Sequence, residues 1–475
     1  GIECRIQTAE AFLRSPQMPS ELLLVSAMSM DMPAVRRISR AVQKHRDVLK
    51  VLGGPIASNP HDALVRSGFD VAVYGEGERP LEAIIGGREF KHIPGVSFWE
   101  DSSVLTNPPE RPLDEASYNR YMPSIERIVD YPTFFAGRVY VEVVRGCSNF
   151  KRTSLTLSDG RRCTHCTPGC MLPACPEGIP PGCGYCSVPA VYGPPKSRSV
   201  DLVEREVRGL VEMGVKRIVL SAPDFLDYRR GGSGLDPCNP PARLEAVEEL
   251  LSACREASNG RARLSVENVK PCLLDEESAA LLGRYLAGTD INIGCETGDE
   301  AHSEELGRPC GPTRAVEAVR AARRHGLRPH VYFVYGLPGQ TLARARRTAR
   351  LIESIAGWAE KVTVYRFKPI PASAFESEPA GAASRTDPGS RLIVKAARDV
   401  NFKKKRELVG REVEAIVAEE NLTRRGELIC FPLLDGPVMA VKGGRELVGR
   451  EVKVRVLGVL SEGLVRGEVV EVAGD

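Results

Sequence analysis

The chain has 475 residues, enough for about three domains, and its 42% hydrophobic and 27% charged residues exclude a disordered polymer. Lys plus Arg number 65 against 62 Asp plus Glu, a net charge of +3, so no global field demands a nucleic-acid partner. No apolar run approaches the roughly 18 to 20 residues of a membrane helix, and residues 1–20 carry Glu and Arg where a signal peptide would be apolar; a soluble, cytosolic protein with no membrane partner is expected.

The chain opens on Gly1, which leaves room for a leading piece. Residues 22–26 (LLLVS) predict a buried strand, and 33–46 an amphipathic helix with Pro33 in its first turn. A strand at 49–53 runs into the turn Gly53-Gly54-Pro55, followed by a helix at 60–67, a strand at 70–74 and a second helix opened by GEGE at 75–78. Strands alternating with helices imply a parallel sheet, a Rossmann-like domain over residues 1–90. Residues 91–137, with Pro108, Pro109 and Pro112, read as a linker.

From residue 138 six strand-like runs recur with helical segments between them: 139–144, 217–221, 263–267, 291–294, 330–336 and 361–367. Six βα units predict a partial (β/α) barrel over 138–371, with its chemistry at the C-terminal strand ends. Residues 372–402 read as linker and helix; 403–475 turn to short β runs, with the octapeptide RELVGREV at 406–413 and again at 445–452, and predict a small closed β-barrel. The expected class is α/β, with a sheet domain, a six-stranded partial barrel and a terminal β-barrel.

Cysteine carries most of the chemical signal. There are 14, and seven lie between Cys147 and Cys186. Disulfides are scarce in the cytosol, and burial as a small hydrophobe explains isolated residues such as Cys254 and Cys430 but not this density, so metal ligation is the favoured reading. Cys147 ends the first barrel strand, and Cys183 and Cys186 follow in CGYCSVP. Three thiolates above a strand suit a [4Fe–4S] cluster with one iron left open, although spacing alone also admits a zinc knuckle or a redox pair. Between them Cys163, Cys166, Cys170 and Cys175 form a second complete ligand set, for an iron–sulfur cluster or a structural zinc that would supply the loop's folding energy. His165 is a swap ligand or a loop histidine. Asp224, at the second strand end, reads as a helix N-cap or as a cofactor or substrate contact.

The strings RGC, CGYCSVP, INIGCETG (291–298) and YFVYGLPGQT (332–341) make residues 138–370 resemble the radical SAM superfamily. Its hallmark is CxxxCxxC with an aromatic residue before the last cysteine, here Tyr185; this chain departs from it, with 35 residues between Cys147 and Cys183, read as an inserted loop. The resemblance implies a cluster on Cys147, Cys183 and Cys186 that chelates S-adenosylmethionine and cleaves it reductively to a 5′-deoxyadenosyl radical. It also implies an electron donor such as ferredoxin or flavodoxin. Tyr185 and Glu296 would lie beside the cofactor, and Gly336, Pro338 and Gly339 would let backbone approach its adenine.

Residues 22–86, through VLGGPIASNPHDALVRSGFDVAVYGEGE (51–78), resemble a cobalamin-binding domain, which implies bound cobalamin or a retained scaffold; the DxHxxG motif is absent and His61 sits in a different turn. Residues 405–472, through LVGREVEAIVAEE, FPLLDGPV and LVGREVKVRVLG, resemble a TRAM domain, which implies contact with RNA. Residues 401–475 hold 13 basic and 13 acidic side chains, so phosphate contacts would fall to local runs: KKKR at 403–406, Arg424–Arg425, and Arg161–Arg162 beside the extra cysteines. The domain order resembles that of tRNA methylthiotransferases. The expected activity is a radical SAM transferase placing a methyl or methylthio group on RNA, tRNA first. The alternatives are a cobalamin-dependent methylase of a small molecule or lipid precursor, and a non-enzymatic metal-bound RNA-binding protein. Oligomeric state is not legible.

Overall fold

Apolar runs of three to five residues set between amphipathic helices fold as the pattern implies. The computed structural model describes residues 4–16, 21–45, 47–163 and 171–473, in two units, Gly1–Tyr131 and Pro132–Asp475.

The first unit holds helices α1 (Ala9–Arg14), α2 (Met32–Ala41), α3 (Pro60–Ser67), α4 (Glu78–Ile85) and α5 (Glu115–Arg120), and strands β1 (Leu22–Ser26), β2 (Leu49–Gly53), β3 (Val71–Val73), β4 (Val96–Glu100) and β5 (Ser103–Thr106). The sheet order is β1-β2-β3-β4-β5, parallel through β3 and antiparallel beyond. Leu52 packs with Val35, Ile38 and Leu64 on one face, while its neighbour Val51 packs with Val71, Ile84 and Val96 on the other, the two-residue alternation of a sheet covered on both sides. β4 and β5 correct one expectation: part of the segment read as linker belongs to this sheet. The turn joining them is Asp101-Ser102, both with φ positive (44° and 69°), a hairpin geometry that usually announces itself through Asn-Gly or Asp-Gly.

The second unit begins with β6 (Val139–Glu142) and β7 (Val144–Arg145), then α6 (Val188–Tyr192), β8 (Lys196–Ser197), α7 (Val200–Glu212), β9 (Arg217–Ser221), α8 (Leu244–Ser258), β10 (Arg263–Val266), β11 (Asn268–Val269), α9 (Glu276–Leu286), β12 (Asp290–Glu296), α10 (Glu300–Glu305), α11 (Pro312–Arg324), β13 (Arg328–Tyr335), α12 (Leu342–Ser354) and β14 (Lys361–Arg366). Two parallel sheets form, β10-β9-β6 and β11-β12-β13-β14. Glu267, between β10 and β11, joins them: its amide donates to Leu220 O at 3.2 Å and its carbonyl accepts from Asn292 N at 3.0 Å. The result is the expected six-stranded partial barrel. Helix α13 (Pro388–Arg406) supplies the helix of the expected linker-and-helix segment and runs four residues beyond it, and Asn401 closes the open edge of β14 by pairing with both N and O of Val362 (2.9 and 2.7 Å).

Strands β15 (Glu412–Glu420), β16 (Glu427–Pro432), β17 (Val438–Lys442), β18 (Glu451–Val459) and β19 (Leu464–Val472) close into a barrel in the order β15-β16-β17-β19-β18. The two octapeptides lead into β15 and β18, which pair, and they are related by a local two-fold: Gly410 N donates to Val456 O at 2.8 Å and Gly449 N to Val417 O at 2.9 Å. This barrel is clasped to the larger one by His330 Nε2 and Asp435 Oδ2 (3.0 Å), beside Asp290, whose two oxygens are held by Arg138 at 2.9 and 3.0 Å. Among the described residues no helix is long and apolar enough to cross a membrane.

Candidate metal and cofactor site

The end of β7 turns sharply. Gly146 has φ +89°, and a side chain there would collide with the carbonyl oxygens of Gly193 and Pro194, so only glycine fits. Cys147 follows, its amide bonded to Gly193 O at 3.1 Å. Asn149 then reaches across the inserted loop: its amide lies 3.4 Å from Cys147 Sγ, and its Nδ2 donates to Cys183 Sγ at 3.3 Å and to Gly307 O at 3.0 Å. The loop is pinched at its base by Gly182 N bonding Lys151 O at 2.8 Å. Cys183 and Cys186 sit on a tight turn closed by Cys186 N and Cys183 O at 2.8 Å. Gly184 between them lies under the ring of Phe375, where a Cβ would clash. Burial, with charge on Cys183 adding to it, pushes the Cys147 thiol up to about 11 against the pull of Lys270 and that of Cys186 up to about 12. The structure thus brings the three expected cysteines together. Buried thiols of this kind ionise only when a cation compensates, which is the donor set a metal cluster takes.

Beneath Cys147 lies a buried charge network. Ser148 Oγ donates to Asp227 Oδ1 at 2.9 Å and accepts from Lys270 Nζ at 2.6 Å. Lys270 pairs with Asp227 Oδ2 (2.5 Å) and Asp224 Oδ2 (3.0 Å), and Arg230 Nε with Asp227 Oδ1 (2.8 Å). Burial opposes the charge on Lys270, but the two carboxylates outweigh it and hold its pKa well above the ordinary lysine value. Asp224 Oδ1 accepts from Leu226 N at 3.3 Å and Lys270 N at 3.0 Å, capping the short 3₁₀ turn Phe225–Asp227. Of its two expected roles, the structure places Asp224 in the capping one, fully buried.

On the other side Arg308 gathers the remaining groups. Its Nη1 lies 2.8 Å from Tyr185 Oη, 3.4 Å from Glu296 Oε1 and 3.9 Å from Cys183 Sγ, and its Nη2 donates to Gly294 O at 2.6 Å. Burial raises the pKa of Glu296, with Arg308 pulling it down, and pushes Tyr185 well up. Glu296 stands at a break in the β12–β13 register with φ +66°, a conformation that costs a side-chain-bearing residue about 1–3 kcal/mol. Arg308 Nε is buried with no partner among the described residues, a donor left over for a polar ligand.

The GLPG turn is braced by contacts with the rest of the chain. Gly336 (φ +74°) is required by the backbone of Gly381, whose Cα would be 2.6 Å from a Cβ; Pro338 O faces His302 Nε2 at 2.8 Å, and Gly339 O accepts from Arg344 Nη1 at 2.8 Å. Cys163 and Cys175 pack half-buried against Leu157, Ile179, Leu337 and Phe375, the cluster that also touches Tyr185. Cys166, Cys170 and His165 lie outside the described residues. Arg161 is paired with Asp159 (2.7 Å). Asn149, Lys270 and Arg308 were not singled out from the sequence; the only local signal is their position just past Cys147, just past the third barrel strand, and in GRPCGP.

Residues 170–352 match the family described as the Radical SAM superfamily. An uncharacterized protein of Methanopyrus kandleri is 45% identical over 94% of this chain and 84% of its own length. A tRNA-2-methylthio-N(6)-dimethylallyladenosine synthase of Pelobacter propionicus is 25% identical over 61% of this chain and 63% of its own. A ribosomal protein uS12 methylthiotransferase of Sorangium cellulosum is 25% identical over 62% and 61%. Among solved structures, the radical S-adenosylmethionine methyltransferase TsrM from Kitasatospora setae, bound to tryptophan substrate and a SAM analogue, superposes with a TM-score of 0.55 at 17% identity, over 78% of this chain and 66% of that one. TsrM has also been solved with cobalamin and a [4Fe–4S] cluster.

Proposed function

The chain belongs to the radical SAM superfamily, and from that premise we propose that it transfers a methyl or methylthio group to RNA, tRNA first. The observation that carries the catalytic part is the bridge by Asn149, which sets Cys147 beside Cys183 despite the inserted loop. Cys147, Cys183 and Cys186 are the ligands. A [4Fe–4S] cluster with S-adenosylmethionine bound there supplies a radical able to attack an unactivated carbon–hydrogen bond. Lys270, beneath Cys147, offsets thiolate charge. Arg308 and Glu296 present a cation and a carboxylate beside Cys183, the pair needed to orient the carboxylate and ammonium of an amino acid. The cluster of Leu157, Ile179, Leu337 and Phe375 keeps water from that side.

The RNA part rests on the TRAM resemblance and on a groove of about 810 Å³ along α13, where Arg391, Lys403 and Arg406 lie with Phe402, Lys395 is paired with Asp399 (2.6 Å) and Arg398 with Glu462 (3.2 Å). Cations interleaved with an aromatic ring suit a nucleic-acid strand. Cobalamin on the first unit would favour methyl transfer. There Met28 and Met30 are exposed past the end of β1, next to the Gly53–Pro55 turn, an apolar rim at the C-terminal edge of a parallel sheet. The set Cys163, Cys166, Cys170 and Cys175 would hold a second cluster or zinc, a sulfur-binding cluster favouring methylthio transfer.

Incubation of reconstituted enzyme, reductant and methyl-labelled S-adenosylmethionine with bulk RNA tests the reading: label enters the RNA fraction. The second reading, a cobalamin-dependent methylase of a small molecule, is favoured by the fold shared with TsrM, and predicts label only in low-molecular-weight extract.

A further inference from the structure

Three cysteines outside the site described above also converge. Cys238 lies between β9 and α8, Cys272 just after β11, and Cys310 between α10 and α11. All three occur in the same dipeptide, Pro237-Cys238, Pro271-Cys272 and Pro309-Cys310, so each thiol follows a residue of fixed φ. Their loops interlock. Cys272 Sγ donates to Pro237 O at 3.3 Å, and Cys238 Sγ to Pro309 O at 3.6 Å. Cys272 is in side-chain hydrogen-bonding contact with both Cys238 and Cys310, so it stands between them.

Two bland readings fit poorly. A free cysteine that packs as a small hydrophobe is buried among apolar neighbours, as Cys254 and Cys430 are; these three are only half-buried and turn toward one another. A disulfide uses two thiols and would leave the third aimed at it without purpose. The surroundings are cationic. Lys151 Nζ donates to Pro309 O at 2.9 Å, and the charges of Lys151, Arg308 and Arg314 bear on Cys310. The Cys272 contact and these positive charges favour the thiolate of Cys310, the Cys272 contact favours that of Cys238 as well, and the same contacts push the Cys272 thiol well up, so that its proton is the one a metal would displace.

We propose that Cys238, Cys272 and Cys310 hold a single thiophilic metal ion, zinc(II) or iron(II), as three thiolates with a fourth coordination position open. Cys272 touches both of the other thiols, so gathering the trio around one ion at metal–sulfur distances of about 2.3 Å asks that Cys238 and Cys310 draw in toward each other, whereas the corners of a four-iron cube would force all three apart. Binding releases the thiol protons to solvent and involves no redox step. The centre adjoins the first thiol trio, since Arg308, 3.9 Å from Cys183 Sγ, is two residues from Cys310. The fourth position is therefore suited to a soft donor from a substrate, such as a thiolate or sulfide.

The test is elemental. The full chain is prepared anaerobically and reconstituted with iron, sulfide and zinc, and metal and sulfide per chain are compared for wild type, Cys272→Ala and Cys310→Ala, with Cys254→Ala as control. Wild type and control are expected to hold one ion more than the two variants, the cluster iron being equal in all four. In wild type alone, alkylation mapped by mass spectrometry is expected to show Cys238, Cys272 and Cys310 protected until a chelator is added, a readout that does not require the variants to fold. Equal metal content in all four proteins, or three thiols alkylated at the same rate with and without chelator, would overturn the site. Loss of about four irons with sulfide would overturn the single-ion assignment.

Discussion

Asn149 Nδ2 stands 3.3 Å from Cys183 Sγ while its backbone amide lies 3.4 Å from Cys147 Sγ, so one residue spans the two sides of an inserted loop. Donors to sulfur stabilise the electron-rich state of an iron–sulfur centre. Asn149→Ala is therefore expected to lower the midpoint potential of the bound cluster and to reduce iron retention after desalting, with the fold kept. Redox titration followed by electron paramagnetic resonance checks it; an unchanged potential contradicts the bridge.

Gly184 carries the ring of Phe375, and Phe375 N donates to Gly184 O at 2.8 Å. Gly184→Ala is expected to cost about 1–3 kcal/mol by overpacking. On a Phe375→Ala background the same substitution should cost much less, because the ring it meets is gone. A double-mutant cycle from denaturant unfolding measures the coupling.

Glu206, on α7, is 4% exposed, and its Oε2 has no partner among the described residues. Burial raises its pKa to about 7, with Arg198 pulling down and Glu142 pushing up. A carboxyl whose folded pKa lies above its unfolded value of 4.5 binds more protons in the folded state between those limits. Its contribution to stability is therefore whole below about pH 4.5 and is lost as pH rises through about 7. Glu206→Gln should match wild type near pH 4 and exceed it by about 3 kcal/mol near pH 8. Urea midpoints across pH test the sign.

Along α13, Lys403 and Arg406 are exposed and line the basic groove. If both contact phosphates, Lys403→Glu with Arg406→Glu should flatten the slope of log affinity against log salt for RNA by about 1.4–1.8. Binding curves at several salt concentrations read it, and an unaltered slope removes the groove from the RNA path.

Local pattern carried much of this architecture. The six barrel strands, the CxxC turn and the doubled octapeptide are each specified by residues close in sequence, so periodicity and motif reach them. What escaped is long-range or conformational. The β4–β5 hairpin turns on Asp101-Ser102, residues that seldom advertise two positive φ values. Asn149, Lys270 and Arg308 owe their roles to partners in distant segments, such as Arg308 to Tyr185. Gly336 and Gly339 sat in a recognisable motif, yet their glycines are explained by a neighbouring backbone and by positive φ. Asp224 followed the ordinary rule for an acidic residue opening a turn.

The most direct measurement is the iron content and 5′-deoxyadenosine yield of anaerobically reconstituted wild type, Cys147→Ala, Cys183→Ala and Cys163→Ala/Cys166→Ala under dithionite. Wild type and the Cys163/Cys166 double variant are predicted to release 5′-deoxyadenosine, and Cys147→Ala and Cys183→Ala to release none and to lose about four irons. Release of 5′-deoxyadenosine by Cys147→Ala at the wild-type level would contradict the assignment of that thiol, across its inserted loop, to the cluster.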